Sequence, residues 1–296
     1  MSDNTRGVCM FAYNNEQIDY IKLAILAASH VKLNLGLPVC LITDEGTWAW
    51  ANESQKTSLL KTCFDEVVIT NDERVENIRG HFDSPWTEFR AQFTNNNKHK
   101  IYEYSPYEQT LLIDTDYIIK NDFLLHVFDT DLPLAMFDRA ISLRNDKPHP
   151  RETWLYDAGI TMWWSTVVYF DRSETSKLFF DTWAHVADNY DYYQFLYNFP
   201  GKLFRTDYCV SAATHILNGM MPANTVYNFA DHPMIYMSQK DDLLEIKNNN
   251  EWIFLANDTR ENWKDILVKH GNLDIHMMNK RALDRHYDVI LESIYE

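Results

Sequence analysis

The stretch TLLIDTD, residues 110–116, says more about the fold than any other part of this 296-residue chain. Its apolar half predicts a buried strand, and Asp114 and Asp116 follow at the end of that strand. An unpaired charge is costly inside a protein, and buried carboxylate oxygens commonly hold a divalent cation. Side chains one residue apart on a strand point to opposite faces. The two aspartates can therefore share a cation only if the strand ends there and the chain turns.

The N-terminal part of the chain alternates between the patterns of strands and helices. Apolar runs at 8–13, 39–43 and 67–70 predict strands, and the residues between them predict helices over 17–35 and 53–63. Continuous apolar strands separated by helices are typical of a parallel sheet with both faces covered. The sequence therefore predicts an α/β fold.

The same reading continues to the end of the chain. It predicts helices at 87–93, 173–188 (with Ser173 as N-cap), 207–217, 258–269 and 282–294, and strands at 134–137, 159–164, 235–237, 252–255 and 273–276.

Several polar side chains come directly after predicted strands or end them. They are Asp44, Asp114, Asp116, Asp138 and His276. In an open α/β sheet, ligands bind beyond the carboxyl ends of the strands. The sequence therefore predicts a site at this edge of the sheet.

Composition excludes several classes of protein. With 8 glycines in the chain, there is neither a P-loop nor a G-x-G-x-x-G turn. A formal charge of −16 disfavours binding to nucleic acid and to anionic lipid at long range. No internal repeat or linker is visible, so we expect a single domain.

The cysteines and the N-terminus predict a cytoplasmic protein, in the host cytoplasm if it is viral. The 4 cysteines form no C-x-x-C pair, which argues against a zinc site or a redox motif and favours reduced thiols. The first six residues lack the apolar segment of a signal peptide, and the longest apolar stretch, 158–170, is too short to span a bilayer.

With these residues the chain resembles the nucleotide-sugar glycosyltransferases of the GT-A fold, in particular the retaining family-eight group, from about Val8 to about Leu283. The resemblance implies a Rossmann-like, mostly parallel central sheet flanked by helices, with the Asp-x-Asp at a strand end. It implies a single domain over 1–296, with a nucleotide-binding half (1–115) and an acceptor-binding half (116–296) that carries a C-terminal metal-ligand segment.

The resemblance also implies roles for individual residues. Asp114, Asp116 and His276 would bind Mn²⁺ or Mg²⁺, and Lys280 would hold the diphosphate, although the spacing from His276 to Lys280 is shorter than the family's H-x-x-G-x-x-K and lacks its glycine. The donor would be bound by Ala12, Tyr13, Asn14, Asp44, Arg90 and Thr115. Asp207 and Asp157 are the predicted catalytic residues, and Asp157 stands where the family's Asn-x-Gly has Asn.

The implied reaction is metal-dependent transfer of a hexose or related sugar, with retention, from a nucleotide sugar, UDP-linked in the first instance. In the family, the leaving phosphate accepts the proton of the attacking hydroxyl. The acceptor stays open between a glycan, a protein and a hydroxymethylated phage DNA base. The DNA acceptor would require the basic residues Lys98, Lys100, Arg139, Arg144, Lys147 and Arg151 to cluster around the cleft.

Other interpretations compete with this one. A haloacid-dehalogenase-like phosphatase also has Asp-x-Asp after an apolar strand, but near the N-terminus and with a later G-D-x-x-x-D that this chain lacks. A sugar-phosphate nucleotidyltransferase needs a glycine-rich N-terminal loop, and a catalytically inactive domain could simply bind nucleotide sugars. Individually, Arg90 is also compatible with a surface arginine, Asp207 with a helix N-cap, and His276 with a structural histidine.

Overall fold

The computed structural model describes residues 5–71, 77–94, 97–144, 153–155, 159–201, 203–221, 225–229, 232–257 and 265–295. The strands are β1 (Arg6–Phe11), β2 (Val39–Thr43), β3 (Glu66–Ile69), β4 (Ile78–Phe82), β5 (Glu88–Gln92), β6 (Gln109–Ile113), β7 (Tyr117–Ile118), β8 (Leu134–Phe137), β9 (Ala140–Ser142), β10 (Trp154–Leu155), β11 (Ile160–Thr161), β12 (Trp164–Phe170), β13 (Tyr227–Asn228), β14 (Met234–Met237), β15 (Asp242–Asn248), β16 (Glu251–Ala256), β17 (Ile266–His270) and β18 (Ile275–Met277). The helices are α1 (Tyr20–Asn34), α2 (Glu45–Ser54), α3 (Thr57–Cys63), α4 (Ile101–Tyr104), α5 (Glu174–Asp188), α6 (Tyr190–Tyr197), α7 (Thr206–Leu217), α8 (Lys280–Arg285) and α9 (Tyr287–Tyr295).

A seven-stranded sheet with the order β13-β8-β12-β6-β1-β2-β3 forms the centre of the molecule. Strands β3, β2, β1 and β6 are parallel neighbours, and β13 is parallel to β8, whereas β12 runs antiparallel to both β6 and β8. Every residue of β2, β8 and β12 is buried, as expected when both faces of a sheet are covered. The predicted fold class, a mostly parallel sheet flanked by helices with the Asp-x-Asp at a strand end, is confirmed.

Helix α1 shows how local sequence defines these elements. The Asp19 carboxylate caps it by accepting hydrogen bonds from the backbone N–H groups of Ile21 and Lys22. Gly36 follows its last turn with φ +64°, a conformation that glycine adopts without strain. Between these signals, α1 is almost entirely buried against the sheet and its neighbouring helices.

A second sheet, with the order β7-β18-β14-β9, brings the C-terminal segment to the Asp-x-Asp. Strand β7 begins at Tyr117, directly after Asp116, and pairs antiparallel with β18 so that Tyr117 lies opposite His276. The Met277 N–H donates a 2.7 Å hydrogen bond to the Asp116 carbonyl. His276 was expected to end a strand, but it lies in the middle of β18.

Two predicted helices are wrong. Residues 87–93 contain β5, which forms an antiparallel hairpin with β4. Of the helix expected at 258–269, residues 266–269 belong to β17, the edge strand of an antiparallel sheet with β15 and β16, and 258–264 lie outside the described residues. Strand β16 alternates between buried and half-buried residues, which is the two-residue period of a sheet with one face covered.

Two other predicted helices are each interrupted in the structure. The helix expected at 53–63 is divided between α2 and α3, and the terminal helix breaks at His286 into α8 and α9. All four cysteines are buried and free of disulfides. Across the described ranges, the structure contains no helix with the length and apolar character needed to cross a bilayer.

Candidate active site

The chain turns immediately after β6, and this turn sets the directions of the two aspartates. The Asp114 N–H still pairs with the neighbouring strand, donating to the Thr166 carbonyl at 2.9 Å. The Asp114 carbonyl then accepts a 3.0 Å hydrogen bond from the Tyr117 N–H, which closes a tight turn. Because the strand ends here, the two carboxylates are not held on opposite faces.

Asp114, Asp116 and His276 form a compact cluster. Each offers a ligand atom, and the three atoms lie within 4.8 Å of one another. His276 Nε2 is 3.4 Å from Asp116 Oδ1, and both side chains are buried. Two carboxylates and one imidazole are a donor set that suits Mn²⁺. The same set suits Mg²⁺ less well, because Mg²⁺ prefers oxygen ligands to nitrogen ligands. The residues present therefore fit a divalent cation.

Each carboxylate of the cluster also has a lysine partner. Lys98 Nζ lies 2.6 Å from Asp114 Oδ1 and also donates to the Ser165 carbonyl. Lys280 Nζ lies 2.5 Å from Asp116 Oδ2. Burial alone would raise the pKa of Asp116, but Lys280 and His276 outweigh burial and hold its pKa well below the usual range.

Asp207 occupies another wall of the same cleft. Its Oδ1 accepts hydrogen bonds from the Ser165 N–H at 3.0 Å and the Ser165 hydroxyl at 2.9 Å, and its Oδ2 lies 2.9 Å from the Arg205 guanidinium. Burial would raise the pKa of Asp207, but Arg205 and the Ser165 hydrogen bonds lower it. The N-cap position of α7 belongs to Arg205, so Asp207 is held for contacts across the cleft and is not the cap.

These side chains line a cavity of about 270 Å³. Tyr13, Thr115, Asp207, Lys280 and the three residues of the metal-type cluster, all predicted from the sequence, are in its wall. The Tyr20 hydroxyl is buried there without a hydrogen-bond partner among the described residues. Burial, with Asp116 and Asp114 nearby, raises the pKa of Tyr20, so this hydroxyl stays protonated.

Asn14, Asp44 and Arg90 line a neighbouring cavity and not the first one. The two cavities border on the same pieces of chain, because Tyr13 and Phe93 line the first and Asn14 and Gln92 line the second. The resemblance placed Arg90 beside the donor, but Arg90 is exposed on β5, away from the aspartates.

Two of these residues, which were predicted to bind the donor, form hydrogen bonds that stabilise the local fold. The Asp44 carboxylate caps α2 by accepting from the Thr47 N–H at 2.9 Å. The Asn14 side chain accepts from the Ile21 N–H at 3.0 Å and donates to Asp19 at 3.1 Å. Ala12 is fully buried, and its carbonyl accepts a 2.6 Å hydrogen bond from the Thr43 hydroxyl.

Asp157 lies outside the described residues, as do Lys147 and Arg151 from the basic group considered for DNA. Of the rest of that group, Lys98 lines the cavity, whereas Arg139 lies 3.6 Å from Asp138. Asp138 follows β8 as predicted but is not in the wall of the cavity.

Sequence reasoning missed Arg205, Tyr20 and Arg79 as members of the cleft, and it considered Lys98 only in connection with a DNA acceptor. Arg205 had a usable signal, because it stands two residues before the predicted Asp207. The other three come from a short 3-10 helix at Lys98–Lys100, from α1 and from β4, and their meeting depends on tertiary packing.

Neither a family model nor a curated protein sequence matches this chain. Solved structures with similar folds include a galactosyltransferase, LgtC, in complex with donor and acceptor sugar analogues (15% identity, 75% of this chain and 72% of that one, TM-score 0.45). Others are the glycosyltransferase GlyE of Streptococcus pneumoniae (12% identity, 76% and 45%, TM-score 0.41) and mouse xyloside xylosyltransferase 1 (13% identity, 71% and 82%, TM-score 0.41).

Proposed function

We propose that this chain is a metal-dependent glycosyltransferase that moves a hexose or related sugar from a nucleotide sugar to an acceptor hydroxyl, with retention. The observation that carries the proposal is the meeting of Asp114, Asp116 and His276 within 4.8 Å at the carboxyl edge of a mostly parallel sheet. Lys98 and Lys280 contact the same carboxylates. A cation site flanked by two lysine ammonium groups suits a substrate that carries a diphosphate.

The two bordering cavities support a division of the donor between them. In this proposal the nucleoside lies near Asn14, Asp44 and Arg90, and the diphosphate and sugar lie in the cleft that contains Asp114. Tyr13 and Phe93, which line the first cavity, are next in the chain to Asn14 and Gln92, which line the second. The base is taken to be uracil in the first instance.

The side chains of the cleft have distinct tasks in the proposed reaction. A bound divalent cation would supply Lewis-acid stabilisation of the leaving diphosphate. With the aspartates serving as cation ligands, Lys98 and Lys280 would be able to donate to phosphate oxygens as point charges. Asp207, held ionised by Arg205, can orient a sugar hydroxyl and stabilise positive charge that develops on the sugar. Asp157 stays a predicted catalytic residue.

The competing phosphatase is not favoured. In that class the motif lies near the N-terminus and is followed by a G-D-x-x-x-D, whereas here it lies at 114–116, no G-D-x-x-x-D is present in the sequence, and a histidine completes the cluster. A binding module that lacks turnover would use the same residues, so activity has to separate it from the enzyme.

Purified protein should be screened by thermal shift against nucleotide sugars with and without Mn²⁺, and nucleotide release should then be measured with the stabilising donor. A ligand that binds the native state raises the melting temperature by mass action. We expect stabilisation that needs the metal and release that stops in excess EDTA. A full rate in EDTA would contradict the metal assignment, and saturable binding without any release would identify a binding module.

A further inference from the structure

The charged side chains of the cleft are arranged in pairs, with one exception. Asp114 pairs with Lys98, Asp116 with Lys280, and Asp207 with Arg205. Arg79 lines the same cavity and, within the described part of the chain, has no carboxylate within ion-pair distance. Its guanidinium contacts the ring of Phe93, with the central carbon 5.0 Å from the ring centroid.

The environment of Arg79 is unfavourable for its charge. Burial and repulsion by Arg205 lower its pKa, and Asp207 offsets them only in part. A guanidinium nevertheless stays protonated in proteins, so the cost persists until an anion offsets it. The ring of Phe93 contributes a cation–π contact, which is weaker than a charge-assisted hydrogen bond to a carboxylate or phosphate.

Arg79 is also held in place by its strand. The β4–β5 hairpin is fixed to the C-terminal part of the chain by three contacts: the Phe82 N–H donates to Gln239 at 3.0 Å, Asp83 pairs with Arg285 at 2.6 Å, and Arg281 lies 3.7 Å from the ring centroid of Phe89. These contacts anchor the strand that carries Arg79, and the Phe93 ring contacts the guanidinium itself.

The charge balance of the cleft leaves room for such a partner. Among the described lining residues other than His276, the proposed metal ligand, there are four cationic side chains and three carboxylates. A divalent cation adds two positive charges, and the diphosphate of a nucleotide sugar cancels two. One positive charge stays unmatched, and Arg79 is the cation without a carboxylate.

We propose that Arg79, assisted by Arg205, binds one further anionic group, a carboxylate or phosphate carried by the saccharide substrate. The proposal rests on the proposed glycosyltransferase function and narrows its substrate class. The anion can belong to the donor, as the carboxylate of a nucleotide-linked uronic acid, or to the acceptor, as a sugar phosphate. A planar guanidinium forms two parallel hydrogen bonds with either group.

The test compares anionic substrates with their neutral counterparts on the full chain with Mn²⁺. In the donor arm, calorimetry measures the affinities for UDP-glucuronate and UDP-glucose. In the acceptor arm, it measures glucose 6-phosphate and glucose in the presence of UDP. Wild type, Arg79→Gln and Arg79→Lys are compared. Arg6→Gln is the matched control, because it removes one arginine charge at the start of β1, outside the cleft.

We expect wild type to bind the anionic member of one arm at least tenfold more tightly than the neutral member. This preference should fall below twofold in Arg79→Gln, be partly kept in Arg79→Lys and be unchanged in Arg6→Gln. Affinity for UDP itself should be the same in all variants. If wild type binds UDP but discriminates in neither arm, or if Arg79→Gln keeps the preference, the inference about Arg79 is overturned and the proposed function stands. Failure of wild type to bind UDP with Mn²⁺ would overturn both.

Discussion

At the scale of single residues, the acidic side chains of the cleft depend on cations from distant parts of the chain. Lys98 precedes Asp114 by 16 positions, and Lys280 follows Asp116 by 164. Buried carboxylates without such partners would favour the protonated form, which binds metals poorly. Lys280 therefore helps to hold the pKa of Asp116 low and to keep this carboxylate in the ionised form that a divalent cation requires.

Asp114→Asn is the sharpest test of the metal site. Asp116 is a poorer choice, because its side chain is only 4% exposed and contacts both Lys280 and His276, so its replacement would disturb a buried cluster. The Asp114 side chain is 34% exposed, so the fold should tolerate the amide. We expect Mn²⁺ to lose its stabilising effect and turnover to fall at least about 100-fold, as measured by thermal shift and nucleotide release.

The control for this variant is Asp181→Asn, which makes the same chemical change in an exposed ion pair with Lys177 on α5. It should keep the full response to Mn²⁺. An Asp114→Asn protein that still responds to Mn²⁺ like wild type would refute the assignment of Asp114 as a ligand.

At the scale of elements, the site depends on which strands pair with each other, and not only on which segments form strands. The run that contains His276 was recognisable as a strand, but its pairing with β7 is what places the imidazole beside Asp116. The β4–β5 hairpin makes the same point, because it carries Arg79 into a cleft formed by other elements.

Helix α5 offers a test of local sequence effects away from the cleft. The predicted N-cap is confirmed: the Ser173 hydroxyl accepts a hydrogen bond from the Ser176 N–H. Ser173→Ala should lower the free energy of unfolding by about 1 kcal/mol, because it leaves a helix N–H without its partner. Urea unfolding measures this change, and nucleotide release should not change.

Thr182→Ala in the same helix is the matched control. Thr182 is half-buried, and its hydroxyl donates to the Leu178 carbonyl one turn earlier in the same helix, so alanine should be neutral or slightly stabilising. Equal effects of the two substitutions would show that the cap contributes nothing specific.

At the scale of the whole molecule, the charge of the cleft is opposite to that of the chain. A net charge of −16 surrounds a cavity whose cations outnumber its carboxylates. Such a surface repels polyanions at long range, whereas a small anionic substrate with a bound cation can be accepted locally. This contrast favours a saccharide acceptor over duplex DNA.

The global response to acid should depend on His30. This histidine of α1 is fully buried; its Nδ1 contacts the Leu26 carbonyl at 2.9 Å, and its ring meets Trp252 of β16 edge-on. Burial, with Lys120 nearby, lowers the pKa of His30 to about 3 from an ordinary value of 6.5. The unfolded chain therefore binds more protons between pH 6.5 and 3, and native stability falls as the pH drops through that window.

We expect this fall to contribute up to about 1.4 kcal/mol per pH unit. His30→Gln should remove it, so the difference between wild type and variant in urea unfolding should shrink steadily from pH 7 to pH 4. His126→Gln, at an exposed histidine, should keep the wild-type slope. Parallel pH profiles for wild type and His30→Gln would contradict the prediction.

The sequence by itself determined the α/β class, the strands at 39–43 and 134–137, the cap at Ser173, and the candidate ligands Asp114, Asp116 and His276. These features are encoded locally, since burial on both faces of a strand requires a continuous apolar run and a helix end requires particular side chains. The helices predicted at 87–93 and 258–269 failed because short mixed segments satisfy either periodicity, and pairing with a neighbouring strand decides between them.

Only the tertiary structure decided which charges share the cleft. Lys98, Arg79 and Arg205 come from a 3-10 helix, a hairpin and a helix N-terminus that are far apart in the chain. Arg90, which the sequence predicted to bind the donor, lines a different cavity from Asp114. Electrostatic interaction depends on distance and burial, and strand register and packing set both only after the chain has folded.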